Sequence, residues 1–404
     1  MNDSYYTQNP ISRRQYKNIA FGMTLVAVGK NVWWGYQPSE NIFVRLNAKL
    51  WVVMGHLATF LEILYGYLNY DLLKKSHLLL SYFISLALYS IVTMKILTAQ
   101  RDVYRVCVTN FMKEFHLYHF QHENKYNKKK AIKTERFSLF IQCFLILSIF
   151  LDALMWFITS LAKNTIHLEE IHNKTMILQG GTYIWMPFDH TYNFKNWILL
   201  EIFFMTYLQF GIGLVIFCVD IMTFTFMLHL IGHLDILKND IESQDWIGLS
   251  DLAVRQKLVD IHNRYTFIKR NFKTFEAAYG INIGAIFLFN LIADSLLMYL
   301  LMFNEKENQM LYFIMAFYFF NILIALSYAT EKIRKLSEDV FIAIYSCPWE
   351  SMALSNQKTL LLMLVQSQEL LDFKACGYSI GYQPMISIIK ATFSYYVMLK
   401  ETNE

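Results

Sequence analysis

The sequence predicts an all-α membrane protein with seven transmembrane helices, and three observations support this class. Of the 404 residues, 55% are hydrophobic and only 17% are charged, with a mean hydropathy of +0.29; soluble domains carry roughly 25% charged residues. The chain has only five prolines, which favours long uninterrupted helices. Apolar runs of about 20 residues recur along the chain, and each is long enough to cross a hydrocarbon core of about 30 Å.

Residues 1–49 precede the first long apolar run and are predicted to lie in the cytosol. They contain one short apolar run, Ile19–Gly29, with basic residues before it. This arrangement, together with the small residues Ala27-Val28-Gly29, is also typical of a signal peptide. Cleavage there would place the start of the next segment outside the cell, which the distribution of basic residues opposes. We therefore interpret the run as an amphipathic or re-entrant helix ending near Trp33 and Trp34, which suit a membrane interface.

Seven apolar helical segments follow, and the last of them is the C-terminal helix of about 17 residues. They are predicted at about Leu50–Tyr70, Leu78–Leu97, Phe137–Leu161, Trp197–Met222, Tyr279–Phe303, Met310–Ala329 and Gln383–Leu399.

The distribution of Lys and Arg predicts the orientation of these spans. About six precede the first span, about nine lie between the second and third, and about seven between the fourth and fifth, against about two, three and one in the alternate loops. The N-terminus is therefore expected in the cytosol and the C-terminus outside. The sequon Asn173-Lys174-Thr175 falls in a loop assigned outside, so Asn173 is a predicted glycosylation site. The sequon Asn2-Asp3-Ser4 would be cytosolic and unused.

Several helices are predicted to continue beyond the membrane. Helical apolar spacing runs past the fourth span to about Leu237, precedes the fifth span over Leu258–Tyr279, and recurs over Ile333–Ile344 after the sixth. Such stripes need partners, so we expect a cytosolic helical anchor, packed between subunits. The predicted organisation is a cytosolic or re-entrant segment (1–49), a six-span bundle with helix extensions (50–329), and anchor helices with the seventh helix (330–404).

The C-terminal helix has small and polar residues along one face. Ala391, Ser394, Met398 and Glu401 share that face, and Tyr395 and Tyr396 lie beside it. A spanning helix with such a stripe seldom faces lipid, so we expect this one to line a cavity or another helix.

Enzymatic, metal and nucleic-acid functions are not indicated. His229 and His233 have the spacing of a helical metal pair but lack an intervening acid and an evident third ligand, which favours packing histidines. None of the five cysteines forms a C-x-x-C pair. No P-loop, GxSxG or ordered Ser/His/Asp set is present, so no enzyme and no cofactor are predicted. A net charge of +4, without a basic–aromatic repeat, argues against nucleic acid.

Ionisable residues within the spans indicate where a ligand could bind. An acid at a helix centre costs about 2.5–3.5 kcal/mol on insertion, and Asp152 and Asp294 both fall in the outer half of the membrane. Glu62, Glu201 and Lys390 are further cases. Such residues form interhelical hydrogen bonds or reach the interface; alternatively, the two aspartates line a cavity for a small molecule. The candidate ligand residues are Tyr82, Asp152, Trp156, Met205, Thr206, Asp294, Tyr312 and Phe313.

The C-terminal third also resembles a known family. The runs AIYSCPWESM (Ala343–Met352), KTLLLMLVQSQ and ISIIKATFSYYVMLK resemble the C-terminal signature of insect odorant receptors. The resemblance implies an odorant-gated, non-selective cation channel in the plasma membrane of olfactory-neuron dendrites. It also implies a heterotetramer with a shared co-receptor, in which the seventh helices surround a pore within the membrane lipid.

The resemblance places pore and ligand residues on this chain. It implies a narrow hydrophobic ring at Met398 and Leu399 and a polar mouth at Glu401, where the co-receptor has Gln. Ser394 lies on the same face, and we expect Lys390 to turn toward a helix interface. The odorant, a small volatile molecule, is implied to bind among the second to sixth spans.

Other receptor classes remain as alternatives. The connection between the fourth and fifth spans is short and lacks the long insertion of the co-receptor. In this respect the chain resembles an odorant-specific tuning subunit. Gustatory receptors share the architecture but usually end in a TY…QF pattern, whereas this chain has Ser394-Tyr395 and then Glu401. A G-protein-coupled receptor would have an extracellular N-terminus, and a transporter would usually show internal repeats.

Overall fold

The computed structural model describes residues 3–25, 33–34, 41–75, 78–180, 183–303, 309–375 and 377–401. Most of these residues belong to helices. The α-helices are α1 (Asp3–Tyr6), α2 (Arg14–Leu25), α3 (Ile42–Leu68), α4 (Tyr70–Lys75), α5 (Leu79–Gln100), α6 (Asp102–Asn110), α7 (Lys125–Ile166), α8 (Leu168–His172), α9 (Phe194–Phe203), α10 (Phe210–Glu242), α11 (Asp251–Phe303), α12 (Gln309–Tyr345), α13 (Leu354–Ser367) and α14 (Tyr382–Glu401).

Six of these helical segments are long and apolar enough to cross a membrane. They are α3, α5, α7, α9 continued by α10, α11 and α12. The seventh predicted span corresponds to α14, which has 20 residues but is less apolar than these six. The prediction of an all-α membrane protein is therefore confirmed.

Helix α10 forms the centre of the bundle. It packs against α5, α7, α11 and α12, and its side chains are buried around nearly its whole circumference, as expected for a helix that is apolar on all sides. α3 crosses the start of α10 at very close range. A Cβ added at Gly211 would lie 1.8 Å from the indole Nε1 of Trp51, so this crossing requires glycine.

The fourth predicted span is interrupted by a π-helical turn. Phe204–Gln209 joins α9 to α10 with wider hydrogen-bond spacing. A π-turn shifts the faces of the two flanking helices relative to each other and is frequent at functional sites. An uninterrupted helix was expected from the sequence, because a π-turn leaves the apolar content of the segment unchanged.

The long helices continue together at one end of the molecule, as the sequence predicts. The final turns of α10 and α12 pack with the first half of α11 and with α13. Phe275 stacks on Phe226 at 4.6 Å and contacts Phe373 at 5.5 Å between ring centres. Lys238 pairs with Asp339 at 3.0 Å. We call this region the anchor end.

A small hairpin connects α13 to α14. The strands β1 (Lys374–Ala375) and β2 (Tyr378–Ser379) pair antiparallel, with Ala375 opposite Tyr378. Gly377 in the turn has a φ of 88°, which glycine adopts without the steric penalty of a Cβ. The hairpin therefore reverses the chain between α13 and α14.

The N-terminal segment packs into the bundle. α2 contacts α3 and α10, whereas Ala27-Val28-Gly29 lies outside the described residues. Trp33 and Trp34 are each 2% exposed, and the Trp33 ring meets that of Tyr104 edge to face at 6.1 Å. These rings therefore fill core space beside α6 and do not face outward; their position at the depth of a membrane interface stays a prediction.

Candidate functional site

A partly enclosed cavity of about 50 Å³ lies between five helices of the bundle. Helices α5, α7, α10, α11 and α12 and the last residue of the π-turn contribute its walls. The walls are mostly isoleucine, leucine and phenylalanine, with a few polar side chains between them. The lining residues are Leu88, Ile91, Lys95, Ile149, Asp152, Gln209, Ile212, Gly213, Ile216, Asp220, Ile286, Phe289, Asn290, Tyr318, Phe319 and Ile322.

A buried ion pair lies at one side of this cavity. The Lys95 ammonium hydrogen-bonds to Asp220 Oδ1 and lies 3.5 Å from Asn282 Oδ1. Lys95 and Asp220 are 2% and 3% exposed, so each charge depends on the other for compensation. Neither residue is among the predicted ligand residues. The signal that could have identified them is a cation within one apolar span and an anion within another.

Three other polar groups at the cavity are not satisfied by the protein. Asp152 Oδ1, Asn290 Oδ1 and the Tyr318 hydroxyl are enclosed and make no hydrogen bond to any residue of the described ranges. Two of the three atoms are pure acceptors. The cavity therefore combines apolar walls with unused acceptor capacity, which suits a small guest that carries a hydrogen-bond donor.

The cavity is close to the lipid-facing surface. An open apolar groove of about 450 Å³ lies between α7 and α10 on the outside of the bundle. Ile149, Gln209 and Gly213 line both the groove and the cavity. The partition between the two spaces is therefore formed by these few residues, and at Gly213 no side chain contributes to it.

The predicted ligand residues occupy different places in this arrangement. Asp152 lines the cavity. Trp156 lies one turn further along α7, half-buried against the main core. Asp294 is fully buried, and neither carboxylate oxygen has a hydrogen-bond partner within the described part of the chain. Phe313 is 57% exposed and stacks on Phe317 at 6.4 Å, on the outside of α12. The side chains of Met205 and Thr206 lie outside the described residues.

Tyr82 and Tyr312 belong to a separate aromatic layer near the start of α5. The Tyr312 hydroxyl hydrogen-bonds to Ser81 Oγ at 3.0 Å, and the Tyr82 hydroxyl donates to the Glu62 carbonyl at 3.3 Å. Both tyrosines are buried. Of the predicted ligand residues, the structure therefore places Tyr82 and Tyr312 at this layer and Asp152 at the cavity.

The described residues 176–180 and 183–192 cover that aromatic layer. Tyr183 is buried between Tyr65 and Tyr82, with ring centres 6.0 Å and 5.9 Å away. The amide and carbonyl of Gln179 pair with the Asn164 side chain at 2.9 Å and 2.6 Å. We call this segment the lid. The sequence predicts only a loop here, because the aromatic residues of the lid follow neither a helical nor a strand periodicity. Asn173, just before the lid, is exposed, so its amide is accessible for glycosylation.

The polar stripe of α14 faces away from the rest of the chain. Ile388 and Thr392 are buried, and α14 packs against α11. The opposite face is exposed and carries the polar residues of the helix. This face includes Gln383, Ser387, Lys390, Ser394, Met398 and Glu401.

Two of the pore predictions are affected by this geometry. Lys390 lies on the exposed stripe, so the expected turn toward a helix interface does not occur within this chain. Met398 is 51% exposed, and the side chain of Leu399 lies outside the described residues.

A second polar site lies at the anchor end, where Glu135 accepts several buried donors. Its carboxylate lies 2.9 Å from Arg13 Nη1, 2.6 Å from His116 Nε2 and 3.1 Å from His229 Nε2. Tyr16 and Gln15 also donate to it, each at 3.0 Å. This arrangement ties α2 and the connection before α7 to the centre of the bundle.

The protonation of this cluster follows from the backbone. The amide of Tyr118 donates to His116 Nδ1, and that of Leu117 donates to His229 Nδ1, both at 3.1 Å. In neutral imidazole the other nitrogen then carries the proton, so both Nε2–H groups point at Glu135. Burial, assisted by His229, lowers the pKa of His116 to about 3. His116, Glu135 and His229 are close enough to hold a metal ion, but these tautomers present no free Nε2 lone pair to one.

Comparisons with known proteins agree with this architecture. A family model for the 7tm odorant receptor family matches residues 76–393. Odorant receptor 10 of Aedes albopictus is 29% identical over 105 residues, which are 25% of this chain and 28% of that receptor. The chain thus spans little more than a quarter of this curated relative in that match.

Two solved structures share the fold over nearly their whole length. Both are of the insect olfactory receptor OR5 from Machilis hrabei. The structure in complex with eugenol has a TM-score of 0.71 at 15% identity, and the structure without it has a TM-score of 0.68 at 16% identity. Each match covers 96% of this chain and 97% of the other. On the family match across most of its length, this chain belongs to the 7tm odorant receptor family.

Proposed function

We propose that this receptor is an odorant-gated, non-selective cation channel subunit that works with a shared co-receptor in a heterotetramer. Its N-terminus would lie in the cytosol and its C-terminus outside, as the distribution of basic residues indicates. The proposed location is the plasma membrane of olfactory-neuron dendrites. The anchor end would then join subunits in the cytosol, and Asn173 would carry a glycan outside.

The exposed polar stripe of α14 is the observation that carries this proposal. Ser387, Ser394 and Glu401 lie on the face opposite to buried Ile388 and Thr392. Polar groups are expensive to expose to hydrocarbon, so this face requires water or another subunit. Four such helices around an axis would line a hydrated pore. Met398 and Leu399 would form its narrow ring, and the Glu401 carboxylate at its mouth would attract cations.

The cavity is the proposed odorant site, and at about 50 Å³ it would have to enlarge into the adjoining groove to hold an odorant. The eugenol complex of the Machilis hrabei receptor supports a small organic ligand for the family fold. In this chain the apolar walls favour volatile, weakly polar molecules, and Asp152 Oδ1 and Asn290 Oδ1 would accept a hydrogen bond from a hydroxyl or amine. Odorants that bind the open arrangement better than the closed one would shift the population toward conduction.

Cysteine accessibility tests the pore assignment. Ser394→Cys, co-expressed with the co-receptor, should give an odour-evoked current that a positively charged methanethiosulfonate reagent blocks from outside. Thr392→Cys is the matched control, since Thr392 is fully buried two residues away and should resist the reagent. The unmodified chain should also resist it. Equal block of both variants, or resistance of Ser394→Cys, would exclude this face from the conduction path.

A further inference from the structure

The first three turns of α7 carry a dense group of exposed cations. Lys125, Lys128, Lys129, Lys133 and Arg136 are all exposed and line one open recess of about 500 Å³ together with Ile132. Their spacing places them on one side of the helix. We call these five residues the basic strip.

The same side of α7 continues as an apolar surface. Phe140, Leu147 and Leu151 follow the strip along this face and are 64%, 57% and 41% exposed. Only 17% of the most apolar stretch of α7 is buried, which is the smallest share among the six apolar helices. This surface faces lipid in a membrane, so the basic strip begins where the lipid-facing surface ends.

The lysines of the strip are not neutralised by the chain. Lys130, on the other side of α7, pairs with Asp235. By contrast, Lys125, Lys128, Lys129 and Lys133 have no carboxylate within ion-pair distance across the part of the chain that the structure describes. The Arg136 guanidinium lies over the Tyr6 ring at 5.8 Å. Within the described residues, the strip therefore presents four uncompensated lysine charges to its surroundings.

The position of the strip suits a lipid headgroup that extends beyond the membrane surface. At 1.5 Å per residue, Lys133 lies about 6 Å and Lys129 about 12 Å along the axis from Phe137, where the predicted apolar span begins. The headgroup zone of one leaflet is about 5–8 Å thick. Arg136 and Lys133 therefore lie at phosphate depth, and Lys129 and Lys128 lie where phosphates on a larger headgroup would project.

We propose that the basic strip is a binding site for an anionic phospholipid with a multiply phosphorylated headgroup. Basic clusters next to a transmembrane helix attract such lipids, and each lysine near an anionic surface contributes about 1 kcal/mol, or roughly fivefold in affinity. The proposal rests on the orientation given under the proposed function, which places the strip at the cytosolic leaflet where anionic lipids are concentrated. It does not require channel activity.

Lipid binding by the purified full-length chain tests this site. The probe is a fluorescent short-chain phosphatidylinositol 4,5-bisphosphate, added to protein in phosphatidylcholine nanodiscs. The variant Lys128→Gln, Lys129→Gln and Lys133→Gln should bind it roughly a hundredfold more weakly. The matched control, Lys257→Gln, Lys335→Gln and Lys358→Gln, removes three exposed lysines from the anchor end and should retain wild-type affinity.

Several results would overturn the proposal. Absence of binding by the wild-type chain, or an equal loss in the two triple variants, would show that the strip is not a lipid site. Stronger competition by an acidic peptide or an RNA than by the unlabelled lipid would assign the surface to a different partner. If the triple variant does not fold, Lys129→Gln alone should weaken binding about fivefold. Because current is not the readout, this failure is separate from failure of the channel proposal.

Discussion

Glu135→Ala is expected to lower the free energy of unfolding by about 3–5 kcal/mol, the range for breaking a buried ion pair from one side. The substitution removes the acceptor shared by Arg13, His116 and His229. Arg13 is 1% exposed and would keep its charge without a carboxylate, bonded only to the carbonyls of Tyr6 and Gln8. The midpoint of thermal unfolding, followed by the monodisperse fraction of the full-length chain in detergent, measures this loss.

Two further variants test the expected loss of unfolding free energy. Glu135→Gln keeps an acceptor oxygen but removes the charge, so it should be less destabilising than Glu135→Ala. Glu338→Ala changes an exposed acid on α12 and should stay within about 0.5 kcal/mol of wild type. If Glu135→Ala were as stable as Glu338→Ala, the buried cluster would not hold the N-terminal segment to the bundle.

Asp220→Ala is expected to have an effect of similar size, about 3–5 kcal/mol, because it leaves the Lys95 ammonium buried without a carboxylate. The expected result is a strong loss of surface expression, measured with an epitope tag on intact cells. The double variant Lys95→Met with Asp220→Leu should recover expression, since an apolar pair of similar volume can replace a buried ion pair.

The double variant also separates structure from ligand binding. Both residues line the cavity, so the recovered receptor should have altered odorant potency while keeping its surface level. Wild-type expression of Asp220→Ala would show that the pair is not required for the fold. Failure of the double variant to recover would mean that the charges have a role beyond mutual compensation.

The fold was largely predictable because its main signals are local. A long apolar run identifies a membrane helix by composition, and the extension of α11 to Asp251 continues the apolar spacing of its membrane part. The polar stripe of α14 was predictable for the same reason, since residues such as Ser394 and Glu401 share one helix face whatever surrounds it.

The polar centres were not predictable because they depend on helix packing. His229 was paired in sequence with His233, four residues away, yet its acid is Glu135, 94 residues away. His233 instead hydrogen-bonds the Phe115 carbonyl. The sequence places Asp152 and Asp294 at a similar depth in the membrane, but of these two only Asp152 lines the cavity. Which face of a helix meets which neighbour is set by tertiary packing, which spacing along one chain does not encode.

Recording current from cells tests the central claim most directly. The chain is expressed with and without an insect odorant receptor co-receptor, with surface protein verified, and a panel of volatile odorants is applied. The account predicts an odour-evoked, non-selective cation current in the pair and none from the chain alone. A current of equal size from the chain alone would contradict the tuning-subunit role, and a response that requires G proteins without any associated current would contradict the channel.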